Sequence, residues 1–209
     1  MLSATDITAL HDARTQAWHL PENPASPGFD PAAPPDAWLD RVAHQHRANF
    51  DLWHIEDEAR APQASDAELA SVKRRIDRTN QLRNDLAEQL DRALLAWLEE
   101  RGLPCAAAPL HSETPGLIID RLSILSLKIF HTRAEALRTD AEPGHCERNF
   151  DRLAILEEQR ADLTTCLDAL WLEVMAGTRR FKLYRQLKMY NDPSLNPAIY
   201  GKTGAERRS

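Results

Sequence analysis

An uninterrupted helical pattern between Ser65 and Arg101 limits what this chain can fold into more than any other feature of its sequence. Ser65 and Glu68 form a capping box at the start of the pattern, and Gly102 with Pro104 ends it. A helix of this length, at about 1.5 Å per residue, extends for roughly 50 Å. The apolar residues that follow helical spacing along it are Leu69, Val72, Ile76, Leu86, Leu90, Leu94 and Trp97.

Local signals predict further helices on both sides of this one. Thr114 as N-cap with Pro115 at the first helical position begins a helix that runs to about Arg138. The sequence has only seven glycines, and the β-branched and aromatic runs typical of strands are scarce. Long helices with short connections predict an all-α fold, an antiparallel bundle of four long helices with two shorter helices appended. The predicted helices span about 5–18, 36–59, 65–101, 114–138, 150–177 and 179–190.

Prolines mark the expected division of the chain. Six of them fall between Pro21 and Pro35, which predicts a stiff, irregular connection after the first helix. We therefore expect an N-terminal helix with a Pro-rich connection at 1–35, a helical-bundle domain at 36–200 and a flexible tail at 201–209.

Cysteine usage and hydropathy predict a cytoplasmic protein. The three cysteines are widely spaced and form no CxxC pair, which favours a reducing compartment. The N-terminus shows no signal-peptide pattern. The most apolar stretch, Leu117 to Phe130, is too short to cross a bilayer and contains charged residues, so no membrane span is expected.

Charge is distributed unevenly. From Arg179 onward eight basic residues face only two acidic ones, on a chain whose net charge is −6. Lys182 and Arg185 lie in this basic segment, where they would contact a phosphate; alternatively, the segment packs on the protein's own acidic surface. Nucleic acid binding is not expected, because the basic patch is short and few exposed aromatic residues are available for stacking.

A polar stripe on the predicted third helix is the first candidate for chemistry. Its members fall within a wedge of about 80° beside the apolar face. Carboxylate and amide oxygens arranged in this way would hold Mg²⁺. The alternative is a solvated helix face supported by pairs four residues apart. The stripe consists of Lys73, Asp77, Asn80, Asn84, Glu88 and Asp91.

The fourth predicted helix is apolar nearly all round and yet carries charges. Asp120 and Ser123 are one turn apart and share a face, whereas Arg121 and Lys128 share another. Buried charges need partners or a ligand, because an unpaired one costs several kcal/mol. Salt bridges to neighbouring helices are the alternative to a ligand site.

On the second predicted helix, one face carries His46, Asn49, Trp53, Glu56 and Arg60, with Asp57 beside it. No combination of His44, His46 and His54 forms a zinc pattern with a fourth ligand, so no structural zinc site is predicted.

Several long strings together resemble the bacterial family known as domain of unknown function 4254. They are Asn49–Arg60 (NFDLWHIEDEAR), Val72–Asn80 (VKRRIDRTN), Glu113–Lys128 (ETPGLIIDRLSILSLK) and Phe181–Pro193 (FKLYRQLKMYNDP). The resemblance covers about 43–200. It implies a helical fold with no accepted catalytic residues, in the neighbourhood of surface-polysaccharide and glycosyltransferase genes.

A second, looser resemblance concerns metal chemistry. Glu56 and Asp57, taken with Glu88-x-x-Asp91, are similar to the carboxylate clusters of all-helical nucleotide pyrophosphohydrolases, in which Mg²⁺ polarises a phosphate and activates water. The ExxE spacing of those enzymes is absent. The resemblance implies Glu56, Glu88 and Asp91 as metal ligands, with Glu56 a ligand or base.

These observations lead to two hypotheses. In the first, a pocket between the second, third and fourth helices binds a phosphorylated small molecule (a nucleotide, nucleotide sugar or sugar phosphate), with Mg²⁺ and with hydrolysis as the reaction. Glu56, Asp120, Arg121 and Lys128 are its catalytic candidates. In the second, the chain is a non-enzymatic module that binds a protein partner and supports envelope-glycan biosynthesis. The ligand-binding candidates are Asn49, Asp57, Asp77, Asn80, Asn84, Lys182 and Arg185.

Overall fold

A computed structural model of the chain describes residues 2–20, 38–185 and 194–195, and it is all-helical, as predicted. In these ranges the only β-type pairing is an isolated parallel bridge between Leu110 and Arg180. None of the described helices is long and apolar enough to cross a membrane. The elements are α1 (Ala4–Trp18), α2 (Trp38–Glu58), α3 (Asp66–Glu99), α4 (Pro115–Ala136) and α5 (His145–Met175).

Helix α4 lies at the centre of the bundle and packs against all four other helices. Its apolar residues point in every direction, so Ile118, Ile119, Leu122, Leu127 and Ile129 are all buried. Helix α5 forms the most extensive interface with α4, and α2 pairs with α3. Because α4 contacts all four, three of its polar side chains, Asp120, Ser123 and Ser126, are also buried inside the bundle.

The local signals at the helix starts are confirmed. The Ser65 hydroxyl accepts a hydrogen bond from the Glu68 N–H, and the Glu68 carboxylate accepts one from the Ser65 N–H. The capping box is therefore present. Thr114 caps α4 by accepting from the backbone N–H of Leu117. These starts were predictable because each depends on side chains only three residues apart.

Helices α3 and α4 cross in direct contact at Gly116. The Asp91 carboxylate of α3 accepts hydrogen bonds from the Thr114 hydroxyl and from the Gly116 N–H, the latter at 2.7 Å. A Cβ atom on Gly116 would stand 2.8 Å from Asp91 Oδ1 and closer still to the Ala87 carbonyl oxygen. Only glycine therefore fits between the two helices at this point.

The predicted sixth helix does not begin at Arg179, and this prediction is wrong for the part of it that the structure describes. Gly177, at φ +71°, ends α5 in the left-handed region. Arg180 then donates its N–H to the Pro109 carbonyl and accepts from the His111 N–H. Phe181 is 2% exposed. These tertiary contacts hold 179–185 out of a helix, and the remainder of the expected helix, 186–190, lies outside the described residues.

The crossing at Gly116 predicts a reversal of the usual effect of alanine. In an open helix, Gly→Ala stabilises by about 0.5–1 kcal/mol. Here the added methyl would overlap α3, so we expect Gly116→Ala to lower the free energy of unfolding by about 1–3 kcal/mol. Urea unfolding followed by circular dichroism measures the change, and a stabilised variant would show that the helices are further apart.

Candidate functional site

A buried polar cluster centred on Asp120 joins α2, α3 and α4. Asp120 is 7% exposed, and its Oδ1 atom accepts hydrogen bonds from Gln45 Nε2 at 2.5 Å and Asn49 Nδ2 at 3.0 Å. Arg83 Nε lies 3.5 Å from the same oxygen. Burial raises the pKa of Asp120, while Arg83 and the two amides lower it. The carboxylate is thus held by three side chains from two other helices.

The cluster continues through Ser123 to α1. Asn49 Nδ2 donates to Ser123 Oγ at 2.9 Å, and His46 Nδ1 lies 2.7 Å from that oxygen. His46 Nε2 lies 2.9 Å from Thr15 Oγ1. Burial lowers the pKa of His46 to about 3, so the ring is neutral at physiological pH. Asp120 and Ser123 share a face, as their spacing predicts, and they sit in one network that spans four helices.

A cleft of about 200 Å³ opens beside this network. Asn49 and Arg83 belong both to the network and to the wall of the cleft. The buried Arg83 Nε atom makes no hydrogen bond to any of the residues that the structure describes. The cleft is lined by Asn49, Leu52, Trp53, Glu56, Asp57, Arg60, Arg83, Ile124 and Leu127.

The acidic residues at the mouth of the cleft are already neutralised. Arg60 donates to Glu56 at 3.0 Å and to Asp57 at 3.2 Å. Glu58, next along the chain, holds Arg75 of α3 in a two-point ion pair. A cation would therefore have to compete with arginine for these carboxylates.

The polar stripe of α3 runs from solvent into the core. Lys73 and Asp77 form an ion pair near the surface, which is the solvated alternative described above. Asp77 and Asn80 are half-buried, whereas Asn84 and Asp91 are buried. The stripe is therefore spread along the helix, and its C-terminal member, Asp91, packs against the start of α4.

The three metal-ligand candidates are not brought together. Glu88 pairs with Arg92 at 3.0 Å, and Glu56 pairs with Arg60 on another helix. Asp91 lies under the start of α4, where burial raises its pKa to about 6 despite the hydrogen bonds from Thr114 and Gly116. Within the described ranges, none of these three carboxylates belongs to a group of three or more histidine, cysteine or acidic donors that could hold a metal ion.

Arg121 and Lys128 line a different cleft, of about 430 Å³, between α4 and α5. Arg121 also pairs with Glu113 at 2.8 Å. Lys182 and Arg185 are exposed on the segment that follows α5. We expected these cations at the α2–α3–α4 pocket, but Arg121 and Lys128 line the neighbouring cleft, and Ile124 borders both clefts.

Sequence reasoning missed a group of three histidines. His19 follows α1 as its C-cap, His54 lies on α2 and His131 on α4. One ring nitrogen of each lies within 4.8 Å of the other two. No spacing rule finds such a group, because its members come from three helices that meet only after folding. His46 is engaged elsewhere, in the Asp120 network.

Comparison with known proteins matches the chain to a family model. The family model described as "Protein of unknown function (DUF4254)" matches residues 39–183. No curated protein and no solved structure matches the chain.

Asp91 provides a test of these electrostatics. Its pKa is raised from 3.8 to about 6 in the folded chain, so between these values the folded state holds a proton that the unfolded state has lost. Stability from this group is therefore present below about pH 4 and is lost as the pH rises through about 6. Asp91→Asn never ionises and can accept from Gly116 while donating to Thr114. We expect the variant to gain up to roughly 3 kcal/mol over the wild type between pH 4 and pH 7.

The measurement is urea unfolding of both proteins at several values across this pH range. Asp85→Asn is the matched control, because it makes the same chemical change on the exposed side of the same helix, away from the contact with α4. A constant difference between Asp91→Asn and the wild type would contradict the raised pKa.

Proposed function

This chain belongs to the DUF4254 family, and we propose that it binds a small phosphorylated molecule in the cleft between α2, α3 and α4. The observation that carries the proposal is the state of Arg83. A guanidinium has five N–H donors, and the two contacts of Arg83 within the described residues are long, at 3.5 Å to Asp120 Oδ1 and 3.4 Å to Asn84 Oδ1. Its side chain is only 23% exposed. A partly desolvated guanidinium with unused donors suits a phosphate.

The size of the cleft narrows the ligand class. At about 200 Å³, it is smaller than the roughly 300–1,000 Å³ that enclose drug-sized ligands. A sugar phosphate, or the phosphate and sugar end of a nucleotide or nucleotide sugar, is the part that would be enclosed. Trp53 and Leu127 offer an apolar wall to the less polar face of a sugar ring. A sugar phosphate also suits the surface-polysaccharide context that the sequence led us to expect.

Mg²⁺ would enter this proposal together with the ligand. Magnesium in proteins is commonly bound through one or two carboxylates plus substrate phosphates. Glu56 and Asp57 are the carboxylates at the mouth of the cleft. Arg60 now pairs with both, and it would have to release them and pair with the phosphate instead. Hydrolysis of a phosphoryl or pyrophosphoryl bond would then use Glu56 as ligand or base. Arg83 would stabilise the developing charge in place of Arg121 and Lys128.

The non-enzymatic module remains the second candidate, and one observation favours it. Asp120 already meets Gln45, Asn49 and Arg83, which is the closed arrangement expected of a network that fixes helix register. Phe150 and Leu172 are exposed on α5 and would contribute apolar area to a protein interface.

A thermal-shift screen distinguishes the two candidates. The purified chain is tested against sugar phosphates, nucleotides and nucleotide sugars, each with and without Mg²⁺. We expect one phosphorylated class to raise the Tm. Arg83→Gln should weaken its binding at least about tenfold, because a charged hydrogen bond contributes about 1.5–3 kcal/mol.

Arg121→Gln is the matched control, since it removes the same charge from the neighbouring cleft, and both variants are checked for a helical spectrum. Loss of binding in the control alone would place the site between α4 and α5 and overturn the proposal. No shift with any compound would favour the interaction module, and a pull-down for partner proteins would follow.

A further inference from the structure

We propose that His19, His54 and His131 form a binding site for a transition-metal ion of the zinc class. The site is independent of the ligand proposed for the α2–α3–α4 cleft. Its three members come from the end of α1, from α2 and from α4, and their ring nitrogens converge to within 4.8 Å of one another. Imidazole nitrogen is a preferred donor for zinc, copper, nickel and iron.

The hydrogen bonds of two rings fix which nitrogen is available. His19 Nδ1 lies 2.7 Å from the Thr15 carbonyl oxygen, and His54 Nδ1 lies 2.9 Å from the Phe50 carbonyl oxygen. A carbonyl can only accept, so each neutral ring carries its proton on Nδ1 and keeps a lone pair on Nε2. Metal-binding histidines are commonly oriented in this way, with the second nitrogen donating to a backbone carbonyl.

Two of the Nε2 atoms lack protein partners. His19 Nε2 and His131 Nε2 are buried and make no hydrogen bond within the described part of the chain. A buried polar atom without a hydrogen-bond partner destabilises the fold. A metal ion bound by this group of three histidines would provide a partner for both atoms.

Aromatic packing holds the rings in place but does not account for their nitrogens. His131 stacks on Trp53 with ring centroids 4.8 Å apart, and His19 stacks on Phe130 at 4.3 Å. Phenylalanine would pack as well at these positions without leaving a polar atom unsatisfied.

The geometry suits zinc after a small adjustment. Nitrogens at about 2.0–2.1 Å from a tetrahedral zinc lie roughly 3.3 Å apart, so the three rings would close by at most about 1.5 Å. Three protein ligands leave a fourth position for water or an anion, as in open zinc sites. Trp53 lies between His131 and the α2–α3–α4 cleft, because it both lines the cleft and stacks on His131.

Cobalt provides a direct spectroscopic test. The untagged chain is stripped of metal with a chelator and titrated with Co²⁺, and the visible absorption of tetrahedral Co²⁺ is followed; Zn²⁺ is then added in competition. We expect one equivalent of Co²⁺ to bind without a thiolate charge-transfer band, and Zn²⁺ to displace it. His54→Gln and His131→Phe, the latter retaining the stack on Trp53, should each bind at least about tenfold more weakly.

His111→Gln is the matched control. His111 is also half-buried and its Nδ1 also lies close to a backbone carbonyl, that of Glu113 at 2.8 Å, but it precedes α4. Its affinity for Co²⁺ should equal that of the wild type, and all variants should keep a helical spectrum. Absence of Co²⁺ binding by the wild type, wild-type affinity in either site variant, or a thiolate band would each overturn the proposal.

Discussion

Helix α4 packs against the four other described helices, so the polar side chains on its buried faces need partners inside the bundle. Asp120 and Ser123 do so by reaching α2, whose Gln45 and Asn49 supply the hydrogen bonds. The same burial forces α3 and α4 into direct contact at Gly116. The network, the α2–α3–α4 cleft beside it and the close crossing are all consequences of one apolar helix placed at the centre.

Much of the fold could be predicted because its signals are local. The capping box of Ser65 and the cap of Thr114 each depend on neighbours within one turn, and both are present. The end of the chain could not be predicted in the same way. Local pattern favoured a helix from Arg179, but Arg180 pairs with the loop before α4 and Phe181 enters the core. Contacts between distant residues outweighed intrinsic propensity there.

The candidate sites were likewise predictable only where they depend on local helix geometry. The shared face of Asp120 and Ser123 follows from helix geometry, whereas the approach of Arg83 to Asp120 depends on how α3 and α4 pack. Histidine spacing within α2 gave no sign of a metal site, because His54 meets His19 and His131 only in three dimensions. Side chains that act across helices leave no periodic trace in a single sequence.

The chain of hydrogen bonds from Asp120 to Thr15 has a direction. A carboxylate only accepts, so Asn49 must present its amide protons to Asp120 and to Ser123. The Ser123 hydroxyl then donates its hydrogen bond to His46 Nδ1, and the neutral ring donates from Nε2 to Thr15 Oγ1. The negative charge on α4 thereby selects the tautomer of a histidine on α2 and orients a hydroxyl on α1. Reversing any single link would leave two donors or two acceptors facing each other, so the three helices share one order of proton donation that is set or lost as a unit.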